Sequence, residues 1–201
     1  MVKLHTTLAE GSELNVSIIG ENGDLARALY NNLMIGHHVV CYGKDQYNFL
    51  NKEDIIALVD HVYQSDIIIN CPGIFTSDDS WDMFTINAVA PTFLLEKLVE
   101  KKSRAHVIII GSHSAMWSSW PSISLERLSY NVSKETIQSF VTGLEQSKKS
   151  NLKLTIFNPS RFKSKMSDHT GYPIESIVDA INYIIKSKVT PLVYELGTSN
   201  D

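Results

Sequence analysis

Short, unbroken apolar runs alternate along this sequence with longer segments in which apolar residues recur every three or four positions. The unbroken runs predict strands that are covered on both faces, and the spaced pattern predicts amphipathic helices. The predicted strands are residues 14–19, 38–42, 47–50 (a brief one), 66–70, 105–110, 152–157 and 192–196. The predicted helices are residues 24–34, 52–63, 81–100, 126–149 and 174–186.

This order of elements predicts an α/β protein with a Rossmann-like, doubly wound and mainly parallel sheet of about seven strands, with helices on both faces. The sequence contains no internal repeat and no long linker, so we expect residues 1–201 to form a single domain. Ligands of such sheets bind beyond the carboxyl ends of the strands. Candidate site residues are therefore those that directly follow a strand.

Composition narrows the classes of partner. With 201 residues, 43% of them hydrophobic, and a formal net charge of -4, the chain has no electrostatic footprint for nucleic acid or an anionic membrane. No apolar stretch approaches the length that spans a bilayer, and residues 1–13 lack a signal-peptide core. Two cysteines, Cys41 and Cys71, are expected to be reduced thiols. We therefore expect a cytoplasmic protein that binds no metal.

A glycine turn follows the first predicted strand. The segment Gly20-Glu21-Asn22-Gly23 leads into the first helix, where Ala26 is small enough to let the helix pack closely on the strand. Glycines allow a tight turn close to a pyrophosphate, and the helix amino terminus offers free N–H groups to the phosphates. The spacing is a variant of the dinucleotide-binding fingerprint. A glycine turn with a purely structural role is the alternative.

Tyr130 and Lys134 are the strongest chemical signal. Their spacing places both side chains on one face of a helix, where an ammonium group lowers the pKa of a neighbouring phenol and makes it a usable acid or base. Ser112 follows the predicted strand 105–110 and brings a hydroxyl to the same sheet edge. Asn87 interrupts an apolar helix, so it either faces solvent or is held near the site by a water or a backbone bend.

In combination, these motifs resemble the short-chain dehydrogenase/reductase family over nearly the whole chain. The matching segments, in the family's order, are Gly20-x-x-Gly23-x-x-Ala26, Asn70-Cys71-Pro72-Gly73 in place of Asn-Asn-Ala-Gly, Asn87, Ser112, the pair Tyr130 and Lys134, and Asn158-Pro159-Ser160. The resemblance implies an NAD(P)H-dependent oxidoreductase that interconverts a carbonyl and an alcohol by hydride transfer.

The resemblance also implies a role for each site residue. Tyr130 would be the general acid or base, and Lys134 would hold the nicotinamide ribose and lower the pKa of the tyrosine. Ser112 would bond the substrate oxygen, and Asn87 would position a water in the proton relay. The implied cofactor-binding residues are Gly20, Asn22, Gly23, Asp24, Leu25, Tyr42, Lys44, Asn48, Phe49, Cys71, Pro72, Gly73, Tyr130, Lys134, Pro159 and Ser160.

The choice of cofactor depends on the end of the predicted strand 38–42. An acidic residue there would bond the adenosine ribose and exclude a 2′-phosphate, but the first carboxylate is Asp45. Lys44 precedes it and would meet the extra phosphate, so NADP(H) is favoured over NAD(H). Asn48 and Phe49 stand where the family has an adenine-contacting aspartate and its hydrophobic neighbour.

The chain departs from the family in its substrate region. The segment between Ser112 and Tyr130 is long, and the lid, at about residues 161–171, is minimal. The candidate substrate-lining residues are His113, Trp117, Trp120 and Phe162. Packing of the loop or a subunit contact is the alternative use of the aromatic residues. We expect a small-molecule carbonyl or alcohol substrate, in a site that is open or completed by a neighbouring subunit.

Two further functions stay open at this point. A non-catalytic NAD(P)-binding sensor could use the same fold, although such proteins commonly lose the tyrosine or the lysine. An epimerase or dehydratase with tightly held NAD would need a carboxyl-terminal substrate domain, for which the residues after Lys134 leave no room. The two long predicted helices, 81–100 and 126–149, occupy the positions through which the family pairs, so we expect a homo-oligomer, a dimer or a tetramer.

Overall fold

The computed structural model describes residues 12–76, 79–117, 124–187 and 191–196. The strands are β1 (Asn15–Ile19), β2 (His38–Tyr42), β3 (Ile67–Asn70), β4 (His106–Ile110), β5 (Lys153–Pro159) and β6 (Val193–Leu196). The α-helices are α1 (Asp24–Leu33), α2 (Lys52–Val62), α3 (Ser80–Phe84), α4 (Ala90–Glu100), α5 (Leu125–Ser147) and α6 (Ile174–Lys186). A π-helical segment, Thr85–Val89, joins α3 to α4, and two short 3-10 helices span His113–Trp117 and Lys165–Ser167.

The strands of the described chain form one sheet in the order β2-β1-β3-β4-β5-β6, and every pairing is parallel. The chain first winds from β1 to β2, and then reverses to β3 and continues to β6. The crevice at this reversal, beyond the carboxyl ends of β1 and β3, is where doubly wound sheets bind their ligands. The predicted Rossmann-like, doubly wound architecture is confirmed, with six strands rather than about seven.

Two hydrophobic clusters cover the two faces of the sheet. One lies between the sheet and the pair α1 and α6, and contains Leu29 and Ile181. The other lies under α2, α4 and α5, and contains Leu58, Leu94 and Ile137. All residues of β3 and β4 are buried, because their successive side chains enter opposite clusters. The prediction of strands covered on both faces is confirmed.

The brief strand predicted at residues 47–50 is wrong, because this segment forms turns. The Asn48 side chain accepts a hydrogen bond from Leu50 N (3.0 Å), and Asn48 N donates to the Asp54 carboxylate (2.8 Å). Side chains thus satisfy the backbone groups that a strand would pair with a neighbour. Asn51 then caps α2 by accepting from Glu53 N. In the described part of the chain, β2 is consequently an edge strand.

The helix predicted at residues 81–100 is continuous but contains the π-helical segment around Asn87. Pro91 lies at the start of α4 and has no N–H to donate to the carbonyl group four residues earlier, which is that of Asn87. A missing hydrogen bond of this kind interrupts the regular α-helical pattern, as a π-helical segment does. The interruption contains one polar residue that is almost fully buried, Asn87, at 1% exposure.

A buried histidine lies near the opposite, amino-terminal end of the sheet. His106 Nε2 is 3.0 Å from Thr155 Oγ1, and Thr155 donates to the carbonyl of Pro191 at 3.0 Å. The threonine oxygen must therefore accept from an Nε2–H of the ring. Burial, reinforced by the Lys153 cation, lowers the pKa of His106 to about 3. The neutral form is thus the one that the fold stabilises.

We expect His106 to make folding sensitive to acid. In the unfolded chain it binds a proton near pH 6.5, whereas the folded protein resists protonation down to about pH 3. Its contribution is therefore complete above pH 6.5 and falls on acidification, by up to about 1.4 kcal/mol per pH unit. Urea unfolding between pH 4 and 7 should show this slope in the wild type and a reduced slope in His106→Gln. The exposed His38→Gln is the matched control, and an unreduced slope in His106→Gln would contradict the assignment.

Candidate active site

The glycine turn packs between the ends of β2 and β3. Gly20 adopts a left-handed backbone with φ of +99°, and a Cβ on it would lie 3.2 Å from Pro72. Gly20 N and Glu21 N both donate to Tyr42 O, at 2.8 and 3.2 Å, and Gly23 N donates to Gly20 O at 2.9 Å. Glycine is needed at position 20 because both its backbone angle and its distance to Pro72 leave little room for a side chain.

The amino terminus of α1 follows this turn. Gly23 is its N-cap and provides no side-chain hydrogen bond, so the first N–H groups of the helix stay available to an anion. Asp24 lies at the first helical position. Its carboxylate accepts from Lys165 N (2.8 Å) and from the Arg27 guanidinium (3.0 Å), and these bonds hold its pKa below the ordinary value. The Lys165 contact joins the predicted lid segment, 161–171, to the start of α1.

Tyr130 and Ser112 are brought together at the carboxyl edge of the sheet. The Tyr130 phenol is close enough to the Ser112 side chain for Ser112 to act on its pKa, and Ser112 Oγ lies 2.7 Å from Ser114 Oγ. The Tyr130 ring meets Phe75 edge-on, with centroids 5.4 Å apart. Burial raises the pKa of Tyr130, while the Ser112 side chain and, after it, the Arg127 cation act in the lowering direction. The expected net lowering of this pKa by Lys134 is therefore not found, because desolvation of the phenolate dominates.

Lys134 is buried on the same helix, one turn after Tyr130. Its side chain is 4% exposed, its Nζ donates to Ile110 O at 3.1 Å, and burial lowers its pKa to about 8. Nζ lies 3.0 Å from the position that a Cβ on Gly73 would occupy. The absence of a side chain at Gly73 therefore leaves the ammonium group its space beside the segment that follows β3.

Asn87 is buried in the π-helical segment, so the solvent-facing alternative is wrong. Its Oδ1 accepts from Ile74 N (2.9 Å), and its Nδ2 donates to Ile74 O (2.8 Å) and to Ser133 Oγ (3.1 Å). Ser133 in turn donates to Tyr130 O at 2.7 Å. Asn87 thus ties the segment after β3 to the helix that carries Tyr130 and Lys134.

The expected adenosine-side residues lie around the end of β2. Tyr42 ends the strand, and Lys44 is exposed in the turn that follows. Gly43 is buried, and a Cβ on it would lie 2.8 Å from Asn22 Oδ1 and 3.0 Å from Glu21 Oε2. Burial and, after it, the Glu21 carboxylate raise the pKa of Cys41 to about 11. Glu21 therefore brings a negative charge to this strand end, a feature that the sequence analysis overlooked.

The remaining predicted cofactor residues lie in different parts of the fold, some exposed and some packed in the core. Asn48 is exposed in the turns after β2, and Phe49 packs against the cluster under α2. Pro159 is buried at the end of β5, and Ser160 N donates to Leu196 O at 2.7 Å. Leu25 is buried in the cluster under α1. Cys71 precedes Pro72, and burial raises the pKa of its thiol.

The predicted substrate-lining residues are only partly within the described chain. His113 begins the 3-10 helix that follows Ser112, and Trp117 ends it. Trp120 lies outside the described residues. Phe162 packs against the cluster under α1 and α6, and its backbone pairs with Tyr172 in an isolated bridge. It therefore contributes to the anchoring of the lid segment on the body of the fold.

The hydrogen bond between the Ser112 backbone and the Asn158 side chain was not predicted from the sequence. Asn158, fully buried, accepts from Ser112 N at 3.1 Å through Oδ1 and donates to Gln138 Oε1 at 2.6 Å through Nδ2. Asn158 was noted only as part of a family motif, and Gln138 not at all. A signal was present, because a glycine, Gly111, directly precedes Ser112 and leaves space for the Asn158 side chain.

The described ranges contain neither a candidate metal site nor a candidate membrane-spanning helix. No group of three or more His, Cys, Asp or Glu side chains gathers there in a way that could hold a metal ion. No helix of those ranges has the length and apolarity required to cross a membrane. Cys41 and Cys71 are free thiols.

Comparison with solved structures identifies the fold. No protein-family model and no curated protein sequence matches the chain. A short-chain dehydrogenase from Streptomyces avermitilis is 16% identical, with a TM-score of 0.75 and coverage of 92% of this chain and 89% of that one. A short-chain dehydrogenase from Burkholderia cenocepacia in complex with NADP is 13% identical, with a TM-score of 0.75 and coverage of 93% and 89%.

A third similar structure is a 3-alpha-hydroxysteroid dehydrogenase from Pseudomonas sp. B-0831 complexed with NADH. It is 16% identical, with a TM-score of 0.74 and coverage of 90% of this chain and 94% of that one. Each similarity covers at least 90% of this chain. The chain therefore has the fold of the short-chain dehydrogenases/reductases, as its motifs predicted.

Proposed function

We propose that this protein is an NAD(P)H-dependent oxidoreductase that interconverts a carbonyl and an alcohol by hydride transfer, with Tyr130 as general acid and base. One observation carries the proposal: the Tyr130 phenol lies where the Ser112 side chain acts on its pKa, with the buried Lys134 ammonium one helical turn away. Gly20 packs against Pro72, and Lys134 Nζ lies against the adjacent Gly73, so the segment after β3 connects this group to the glycine turn. A phenol, a hydroxyl and a cation are the groups that proton transfer to a carbonyl oxygen requires.

Tyr130 holds the proton that the substrate oxygen receives during reduction. Because its pKa is raised, the phenol stays protonated at neutral pH and serves as the acid. Ser112 Oγ, which lies 2.7 Å from Ser114 Oγ, would donate a hydrogen bond to the same oxygen as negative charge develops there. In the reverse direction the phenolate accepts the alcohol proton, and Lys134 stabilises that charge. Asn87 would position a water that connects Lys134 to solvent.

The residues present fit a dinucleotide. Gly20 and Gly73 would let the backbone approach the cofactor, and the first turn of α1, from Asp24, offers N–H groups to its phosphates. Lys134 would bind the ribose hydroxyls on the nicotinamide side. When bound, the nicotinamide supplies or accepts the hydride, and the protein supplies orientation and the proton. The other sequence-predicted cofactor residues are proposed on the same basis.

We propose NADP(H) as the favoured cofactor on the strength of Lys44, which is exposed directly after β2. Glu21 acts in the opposite direction, because its carboxylate lies beside Gly43 at the same strand end and would repel a 2′-phosphate. The net preference is thus a balance between two side chains of opposite charge.

The remaining proposals concern the whole chain. We propose one domain over residues 1–201, with the segment 161–171 as a short lid and with His113 and the aromatic residues Trp117, Trp120 and Phe162 near the substrate. The free thiols Cys41 and Cys71 fit the cytoplasmic location that the sequence favoured. We also propose a homo-oligomer, and the only support for it is that the helical segments 81–100 and 126–149 occupy the positions through which the resembling family pairs.

Replacing Tyr130 by Phe should separate binding from catalysis. Fluorescence titration should show that NADPH still binds, with a Kd raised at most by about the tenfold that one lost hydrogen bond costs, whereas NADPH oxidation with a carbonyl substrate found by screening should fall by about 100-fold or more. Tyr183→Phe, on the exposed face of α6, is the matched control. Full activity of Tyr130→Phe would rule out the mechanism. Tight NADPH binding by the wild type without turnover of any carbonyl or alcohol would favour the sensor.

Cofactor affinity should depend on the charge of Lys134. Its pKa of about 8 means that the ammonium form predominates at pH 7 and is lost as the pH rises through 8. If a bound ribose raises this pKa by about one unit, the Kd for NADPH should increase by up to about tenfold between pH 7 and 10. Lys134→Arg keeps its charge and should abolish this dependence, and Lys186→Arg should not. A pH dependence that persists in Lys134→Arg would contradict the prediction.

Cofactor preference should respond in opposite directions to Lys44 and Glu21. Lys44→Ala should weaken NADPH binding by about three- to fivefold and leave NADH binding unchanged, as expected for an exposed charge pair. Glu21→Gln should strengthen NADPH binding by a similar factor. The dissociation constants of NADPH and NADH for each variant measure this change in preference, and Lys186→Ala is the control in which neither constant should change. Equal losses for both cofactors in Lys44→Ala would refute the role given to Lys44.

A further inference from the structure

The backbone N–H of Ser112 is bonded to a chain of two side-chain amides, one buried (Asn158) and one half-buried (Gln138), which returns to the helix of Tyr130. Ser112 N donates to Asn158 Oδ1 at 3.1 Å, and Asn158 Nδ2 donates to Gln138 Oε1 at 2.6 Å. Gln138 lies on α5, two helical turns beyond Tyr130. The helix that carries Tyr130 therefore also supplies, through Gln138, the support of the backbone at Ser112.

The space for this contact is provided by Gly111. Asn158 is fully buried at the end of β5, and a Cβ on Gly111 would overlap its Oδ1. Gly111 N donates to Phe157 O at 2.8 Å, which continues the β4–β5 register by one residue. The backbone at Ser112 is therefore fixed by a strand hydrogen bond before it and by the Asn158 amide at its own N–H.

The hydrogen bonds determine the orientation of both amides. A backbone N–H is only a donor, so Asn158 must present Oδ1 to Ser112. Its Nδ2 then faces Gln138, whose Oε1 must accept the hydrogen bond. Neither amide can turn over without placing two donors or two acceptors against each other in a buried site, which is costly. Each of the two amides therefore has a single favourable orientation of its oxygen and nitrogen atoms, and together they support Ser112 rigidly.

We propose that Asn158 and Gln138 are positioning residues that set the place of Ser112 relative to Tyr130, and this inference rests on the proposed function of Ser112. They touch neither the substrate nor the cofactor. Their role is to keep the Ser112 hydroxyl within hydrogen-bond reach of the phenol and of the oxygen that Tyr130 protonates. A displaced catalytic group can lower a rate by up to about 100-fold while binding stays intact.

The first test uses Gln138→Met, because Gln138 is only half-buried and methionine is of similar length. We expect kcat for the carbonyl substrate to fall by about tenfold, with unchanged affinity for NADPH. Gln138→Glu keeps an acceptor oxygen and should restore most of the rate. Gln146→Met, exposed on the same helix, is the matched control. A fall in kcat that Gln138→Glu does not restore would contradict positioning through the amide.

The second test asks whether the effect passes through Ser112. If it does, Gln138→Met should cause no further loss of kcat in a Ser112→Ala background, because interacting residues are not additive. An equal loss in both backgrounds would overturn the inference. If Ser112→Ala alone keeps full activity, the proposed catalytic role of Ser112 fails instead.

The third test needs no substrate. Hydrogen exchange of the Ser112 amide, followed by NMR, should accelerate by about tenfold or more in Gln138→Met and not in Gln146→Met, because its acceptor Asn158 has lost its anchor. An unchanged Ser112 amide in a folded Gln138→Met protein would overturn the positioning role, whatever the outcome for catalysis.

Discussion

The site depends on the burial of one cation, the Lys134 ammonium, at the carboxyl edge of a parallel sheet. Burial costs this charge its hydration, and a single carbonyl, that of Ile110, replaces part of it. The group lies close against Gly73 on the neighbouring segment, where a Cβ would come within 3.0 Å of Nζ. Removal of the cation from water is also what lowers its pKa to about 8 and makes it responsive to a bound ligand.

The other site residues are arranged around this cation by backbone constraints. Asn87, in the π-helical segment, is hydrogen-bonded to Ile74 and to Ser133. These bonds fix the segment after β3 against α5. Asn158 fixes the segment after β4 at Ser112 in a comparable way. Two asparagine side chains, each bonded to the backbone, thus hold the two loops between which Tyr130 lies. The reacting groups are positioned by rigid elements rather than by contacts among themselves.

The sequence predicted most of what local patterns can encode. The strands, the glycine turn and the spacing of Tyr130 and Lys134 all depend on neighbours within a few residues. The π-helical segment at Asn87 also had a local signal, Pro91, but the apolar periodicity of the helix concealed it. The absent strand at residues 47–50 was decided by side-chain bonds of Asn48 that compete with a ladder. The contact of Asn158 with Ser112 joins residues 46 positions apart, and Gly111, the local signal for it, does not identify the partner that fills the space.

Isotope transfer tests the central claim, hydride transfer at this site, most directly. Reduced cofactor deuterated at C4 of the nicotinamide would be incubated with the wild-type protein and a panel of carbonyl compounds, and the products analysed by mass spectrometry. The proposed chemistry predicts an alcohol that carries a single deuterium on the former carbonyl carbon. Cofactor that binds tightly while every carbonyl compound is recovered unlabelled and unreduced would contradict it.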